Sequence, residues 1–307
     1  MVTTRAYRIH RFGDLRLDSL NVGSHQRHVL VETHAAGVNP VDHKTLDGAY
    51  PMVTERDPPY TLGHDISGVI AGVPPGHVQW RIGDAVFGYV GPHAGTFADL
   101  ALVPPEALAG KPDRLDLPTA AGVPLAALTA WQGLFDHGKL SLGQRVLIHA
   151  GAGGVGHFAI QFAYRAGAYV LVTASGDGVD FARAMGADHV IDYKKQRFEN
   201  EAGPVDLVLD LVGGDTQRRS WSVIKPGGRL VSTLGQPASP AESRRDAVGM
   251  GYTCEPDGSQ LARIKELIDC GHVRVEIAET FPFERLPDAL DKLRRGHVRG
   301  KIVVRLK

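Results

Sequence analysis

Cysteine is almost missing from this 307-residue chain: Cys254 and Cys270 are the only two. Two thiols make no disulfide framework, and the absence of any C-x-x-C or four-cysteine cluster excludes a structural zinc lobe. Net charge is missing as well, because Lys+Arg and Asp+Glu both total 34. Such a chain lacks the basic field that nucleic acid or an anionic membrane demands. The arginine pairs Arg218-Arg219, Arg244-Arg245 and Arg294-Arg295 read as solvated helix faces. The 14 histidines are scattered, with no H-E-x-x-H or H-x-H pattern, and read as surface or satisfied core residues. No apolar run reaches the about 18 residues of a membrane span. The apolar stretch Ala120 to Trp131 is too short and contains Pro124. Met1 to Arg8 lacks the apolar segment of a signal peptide. The expectation is a soluble cytoplasmic protein, with no nucleic-acid or membrane partner.

What is present is 43% hydrophobic residues, enough for one large or two ordinary domains, and 37 glycines. Three glycines form the most informative feature. Arg145-Val-Leu-Ile-His149 reads as a strand, Ala150 to Gly156 as a loop, His157 to Gly167 as a helix and Tyr169 to Thr173 as a second strand. The loop holds G-x-G-x-x-G at Gly151, Gly153 and Gly156, with Gly154 and Val155 between. In this context Gly151 permits a tight turn, Gly153 lets backbone approach a pyrophosphate and Gly156 lets helix pack on strand. The helix N-terminus offers amides and a positive dipole end to the phosphates. An NAD site places a carboxylate about 20 residues on, for the ribose 2′-hydroxyl. Here Val172-Thr173-Ala174-Ser175 stands there, with Ser175 as a donor, which favours NADPH over NADH. Asp177 nearby, and no Arg or Lys before Arg183, argue the other way.

Residues 1 to about 117 look all-β. His28 to Thr33, Gly68 to Ala71 and Asp84 to Gly88 are strand candidates between Gly and Pro turns. Pro118 to Phe135 is Ala/Leu-rich and predicts one or two helices bending near Pro124. The stripe Val155, Phe158, Ala159, Phe162 and Ala163 should face a sheet. A helix over 179–185 follows, then strands at Asp188 to Asp192, Val205 to Asp210 and Arg229 to Thr233, the last after the turn Pro226-Gly227-Gly228. Alternating strands and helices predict a parallel doubly wound sheet. Ligands sit beyond the carboxyl ends of such strands, which nominates Val212, Gly213, Leu234 and Gly235 for the nicotinamide end. A helix over 259–270, one around 287–294, and a strand over 300–307 returning to the first domain complete the pattern. The domains expected are 1–118 with 258–307, and 119–257.

Further landmarks occur in order: Ala36-Gly-Val-Asn-Pro-Val-Asp42, Leu62-Gly-His-Asp-Ile-Ser-Gly-Val69, Ile82 to Gly88, Gly95 to Asp99, Leu128-Thr-Ala-Trp131, Gly186 to Tyr193 and Gly300 to Val304. With the glycine loop, they make the chain resemble the medium-chain dehydrogenase/reductase superfamily, in its zinc-independent quinone oxidoreductase branch. The resemblance covers nearly the whole chain. It implies an α/β fold, with a GroES-like β-barrel split around an inserted Rossmann domain, an active site in the cleft between them, and a homodimer. It places Thr129 on the nicotinamide, Tyr193 near the adenosine or phosphates, and Gly213 and Gly235 along the ribose and nicotinamide. NADPH-using relatives often carry a lysine beyond the second strand, where this chain has Gly178.

Zinc-dependent members bind catalytic zinc with a cysteine in the first landmark, a Gly-His-Glu in the second and a later cysteine. Here Asn39, Gly63-His64-Asp65 and, approximately, Leu125 stand there. That set does not supply three ligands, so no zinc is expected. His64 is left to pack near the nicotinamide or to satisfy a local hydrogen bond. Without a Lewis acid an unactivated alcohol is hard to oxidise. A quinone or an α,β-unsaturated carbonyl accepts hydride at carbon, and the resulting oxyanion needs only hydrogen-bond donors. The catalytic candidates are Asn39 and Tyr50 as donors, Lys44 for an oxyanion or the cofactor, and Asp42, which also suits a turn. Loops 46–60 and 236–252 should shape the acceptor pocket. The expected activity is NADPH-dependent reduction of a quinone or enone. The alternatives are a cofactor-binding redox sensor without useful turnover, and a zinc-dependent alcohol dehydrogenase.

Overall fold

A computed structural model of the chain describes residues 2–23, 27–54, 58–92, 95–238 and 246–307. The Arg244-Arg245 pair and parts of loops 46–60 and 236–252 lie outside the described residues. The chain divides into two compact units. One comprises 1–125, 255–271 and 275–307; the other comprises 126–254 and 272–274. Among the described residues no helix is long and apolar enough to cross a membrane.

The first unit opens with β1 (Thr3–Arg11), β2 (Asp14–Asn21), β3 (Val29–Val38) and α1 (Pro40–Leu46). It continues with β4 (Tyr60–Thr61), β5 (Asp65–Gly72), β6 (Ala85–Tyr89), β7 (Leu100–Val103), β8 (Leu108–Gly110) and α2 (Leu117–Ala121). The all-β expectation for this stretch needs correcting at α1. Pro40 sits at its start, where its missing N–H costs nothing, and Asp42 Oδ2 accepts the Asn39 N–H at 2.7 Å. Asn39 to Asp42 therefore opens a helix rather than closing a turn.

The second unit begins within α3 (Pro124–Trp131) and continues through a wide π turn over Gln132–His137, in which Gly138 N–H reaches Gly133 O at 3.0 Å. Its elements are β9 (Arg145–Ile148), α4 (Gly156–Arg165), β10 (Tyr169–Ala174), α5 (Gly178–Ala184), β11 (His189–Asp192) and α6 (Phe198–Glu201). Then come β12 (Val205–Asp210), α7 (Gly214–Ser220), β13 (Ile224–Ser232) and β14 (Val248–Gly251). The strands form one parallel sheet in the order β11-β10-β9-β12-β13-β14. β9 lies between β10 and β12, and Val146, Leu147 and Ile148 are fully buried. Phe158, Ala159, Phe162 and Ala163 of α4 are buried as the helical spacing predicts, whereas Val155 caps the helix and stays half-exposed. β13 begins before the Pro226-Gly227-Gly228 segment rather than after it.

Back in the first unit, α8 (Gly258–Asp269), β15 (Ile277–Pro282), α9 (Leu286–Arg295) and β16 (Lys301–Arg305) complete the chain. β16 pairs antiparallel with β3, Ile302 opposite Val38 and Val304 opposite Ala36, inside a seven-stranded sheet. A separate three-stranded sheet runs β2-β1-β4. Leu62, Phe97, Phe283, Leu286, Ile302 and Val304 anchor the core beside β16.

Candidate active site

The glycine loop of the second unit is a cradle in which no side chain fits at Gly151 or Gly156. Gly151 donates its N–H to Thr173 O at 3.1 Å, and a Cβ on it would lie 2.0 Å from Val172 Cγ1. A Cβ on Gly156 would lie 2.4 Å from Ala150 O. Both approaches are closer than any side chain permits. Gly153 donates to Ala150 O at 3.0 Å, and the space beside it is otherwise open. α4 starts at Gly156, so Gly154 and Val155 lie where the positive end of its dipole emerges. This shape fits a pyrophosphate held by backbone alone.

At the neighbouring strand tips, Ser175 Oγ donates to Tyr193 Oη at 3.0 Å, and both residues are partly exposed. β10 itself carries no carboxylate, and Asp192 Oδ1 accepts the Lys194 N–H at 3.1 Å.

Beyond β12 and β13 the backbone is laced to one buried carboxylate that sequence reasoning missed. Asp210 Oδ1 accepts the N–H groups of Val212 at 3.0 Å and Gly213 at 2.9 Å. Asp210 Oδ2 accepts from Gln217 Nε2 at 3.0 Å and Ser232 Oγ at 2.7 Å. Ser232 Oγ in turn accepts the Leu234 N–H at 3.0 Å. The turns bearing Val212-Gly213 and Leu234-Gly235 thus share one anchor, and both Val212 and Leu234 are exposed. The available signal was an acid two residues before a Val-Gly turn, the pattern of an Asx turn. Thr129 is buried, and its carbonyl accepts the Tyr252 phenol at 2.6 Å. Burial pushes that phenol well above its ordinary pKa.

In the first unit the structure gathers Asn39, Asp42, His64, Asp65 and Lys301, none more than 4% exposed. Asp42 Oδ1 pairs with His64 Nδ1 at 2.7 Å. Asp65 accepts from Asn39 Nδ2 at 2.8 Å and from the Leu125 N–H at 2.7 Å. Lys301 Nζ lies 3.6 Å from Asp65 Oδ2 and bonds Asn39 Oδ1 and, at 3.2 Å, Val38 O. Burial raises the Asp65 pKa against the pull of Lys301, and burial lowers that of Lys301 against the pull of Asp65. Tyr50 stands edge-on to His64 with ring centres 6.5 Å apart, and its hydroxyl meets Met52 Sδ at 3.3 Å. Lys44, half-buried in the last turn of α1, makes no bond to the cluster. His64 Nε2 is buried without a partner among the described residues. Lys301 lies in the Gly300 to Val304 landmark, but the sequence does not single it out as a site residue, since only the pairing of β16 with β3 brings it here.

This cluster does not fit a catalytic zinc. Asp42 and Asp65 face bonded donors, and an ammonium lies among them. Among the described residues no group of three or more His, Cys, Asp or Glu side chains is arranged to hold a metal.

Two family models match the chain: an alcohol dehydrogenase GroES-like domain over residues 25–113, and a zinc-binding dehydrogenase domain over residues 185–304. The human mitochondrial NAD(P)H oxidoreductase RTN4IP1 is 35% identical across 90% of this chain and 81% of its own. The chain belongs to the medium-chain dehydrogenase/reductase superfamily. It is an NAD(P)H-dependent oxidoreductase of that superfamily. The chloroplastic NADPH-dependent alkenal/one oxidoreductase of Arabidopsis thaliana is 33% identical over 90% of this chain and 71% of that protein. The quinone oxidoreductase structure from Coxiella burnetii superposes with a TM-score of 0.91 at 32% identity, covering both chains completely. The GroES-like domain and Rossmann-type parallel sheet are those of this superfamily.

Proposed function

We propose that this superfamily member is an NADPH-dependent, metal-free reductase of electron-poor conjugated carbonyls, either quinones or enones. The observation that carries the reading is the cradle around Gly151 and Gly156 beside a second strand tipped by two hydroxyls, Ser175 and Tyr193. A carboxylate at that tip would repel a 2′-phosphate; two hydroxyls donate to it. The alkenal/one and quinone names of the relatives above support the acceptor class.

The chemistry a bound nicotinamide supplies is a hydride for the electron-poor carbon. This chain's residues then have to hold the acceptor and stabilise the charge that grows on its oxygen. Tyr50 hydroxyl and Lys44 ammonium are the donors assigned to that oxygen. Asn39 and Asp42, engaged in the buried cluster, act by fixing the α1 entrance and the His64 ring. Thr129, Val212, Gly213, Leu234 and Gly235 line the nicotinamide end, their backbone set by Asp210, Ser232 and Tyr252.

The test mixes purified protein with NADPH and 1,4-benzoquinone or an alkenal, then follows the cofactor absorbance. Acceptor-dependent loss of absorbance is expected, with NADH bound at least ~10-fold more weakly than NADPH. Tight NADPH binding with no turnover on either acceptor class would replace this reading with that of a redox sensor.

A further inference from the structure

The junction between β9 and the glycine loop holds a conformational anomaly. Ala150 has a φ of +54°, a left-handed backbone that Cβ sterics disfavour in alanine. Gly153 donates to the carbonyl of this residue, and Gly156 packs against the same oxygen. The cradle therefore hangs from one strained turn. Strain of this kind persists only where neighbours over-determine the geometry.

Those neighbours form a single chain of hydrogen bonds through the adjacent residue, His149. His149 Nε2 meets Ser220 Oγ at 2.9 Å, and Ser220 Oγ donates its own proton to Thr216 O at 2.7 Å. Nε2 must then carry the ring proton, which leaves Nδ1 an acceptor. Thr173 Oγ1, 3.0 Å from Nδ1, donates to it and accepts the Ala150 N–H at 3.3 Å. The carbonyl of the same threonine holds the Gly151 N–H at 3.1 Å. His149, Thr173 and Ser220 are all buried, and Phe198 closes on the imidazole edge-on at 4.8 Å. Every proton in this chain has one place to go. Burial pulls the His149 pKa down to about 4 and keeps the ring neutral, with Asp210, Glu199 and Arg219 as the charges that act on it.

We propose that His149 is a positioning residue for dinucleotide binding: clamped between Thr173 and Ser220, it orients the Thr173 hydroxyl to hold Ala150 in the left-handed turn that shapes the phosphate cradle. This inference rests on the reading of the loop as the dinucleotide site. It predicts that the clamp becomes dispensable once residue 150 no longer resists the turn, because glycine adopts positive φ without strain.

The test uses the full chain carrying Thr173→Val, an isosteric change, with and without Ala150→Gly. NADPH and NADH dissociation constants, melting temperature and acceptor KM are measured for each. Thr173→Val should weaken both cofactors about fivefold, the size of one lost hydrogen bond, with acceptor KM unchanged within about twofold. Adding Ala150→Gly should recover about half of that loss or more. Wild-type cofactor affinity in folded Thr173→Val overturns the proposal, and so does a loss that Ala150→Gly leaves in place. Should Thr173→Val fail to fold, Ser220→Ala, which removes the other end of the clamp, is judged by the same two criteria. A wild-type chain that binds neither cofactor defeats the dinucleotide reading itself. Wild-type binding that is indifferent to the clamp defeats this proposal alone.

Discussion

In the second unit, the residues that would hold a dinucleotide diphosphate lie within residues 145–173, and the groups they offer are backbone amides. In the first unit, the buried polar cluster joins residues far apart in the chain: Asp42 to His64 across 22 positions, Asn39 to Asp65 across 26, and Lys301 to Asn39 across 262. The first arrangement is specified by where side chains are forbidden. The second is specified by which charged side chains the sheet brings into contact. A substitution in the cradle therefore acts by adding atoms, whereas a substitution in the cluster acts by removing a partner.

The sharpest break of this contrast is Gly156→Val. Its Cβ would sit 2.4 Å from Ala150 O, so NADPH and NADH binding should both fall by at least ~100-fold in a fluorescence titration. Retained binding would mean that the cradle is not where the cofactor sits. In the cluster, Lys301→Met leaves Asp65 buried without its cation and should cost ~3–5 kcal/mol in urea unfolding. Adding Asp65→Asn should return most of that loss; if the double variant is as unstable as the single one, the pair is not coupled as the structure implies.

A smaller effect is read by pH. The folded-state pKa of His149 lies at about 4, below the ordinary 6.5, so the unfolded chain takes up this proton first. The stability from this residue is fully present above pH 6.5 and is lost as pH falls toward 4, up to ~3 kcal/mol. Between pH 6.5 and 5, unfolding free energy should drop more steeply in the wild type than in His149→Gln, which keeps the contribution of His43, whose pKa burial also lowers. The smallest expected change is Ser175→Ala, which should weaken NADPH about fivefold and leave NADH untouched, one hydrogen bond's worth. Equal effects on both cofactors would remove Ser175 from the 2′-phosphate.

The same contrast decides what the sequence makes legible. Val146 to Ile148, the glycine spacing and the α4 stripe are local patterns, so this stretch of the fold follows from adjacent residues. α1 is hidden because Asn39-Pro40-Val41-Asp42 suits a turn as well as a helix start, and the buried Asp42 settles it by accepting the Asn39 N–H. β14 is four residues long with glycine at 249 and 251, and offers neither alternation nor β-branched density. β13 runs past Pro226-Gly227-Gly228 because the turn survives as a bulge: Ile224 pairs with Val205, the ladder resumes at Arg229 opposite Leu207, and Gly227 between them has a φ of +72°. Asp65 stands out in its Gly-His-Asp landmark, but its cation Lys301 reaches it only once β16 lies against β3.

That pairing also sets an order of events during synthesis. A ribosome that has released the first 125 residues has delivered Asp42, Asp65, Asn39 and His64 but not Lys301. Until β16 emerges and docks beside β3, Asp65 has no ammonium to meet. The first unit thus completes its interior only after the whole of the second has left the tunnel.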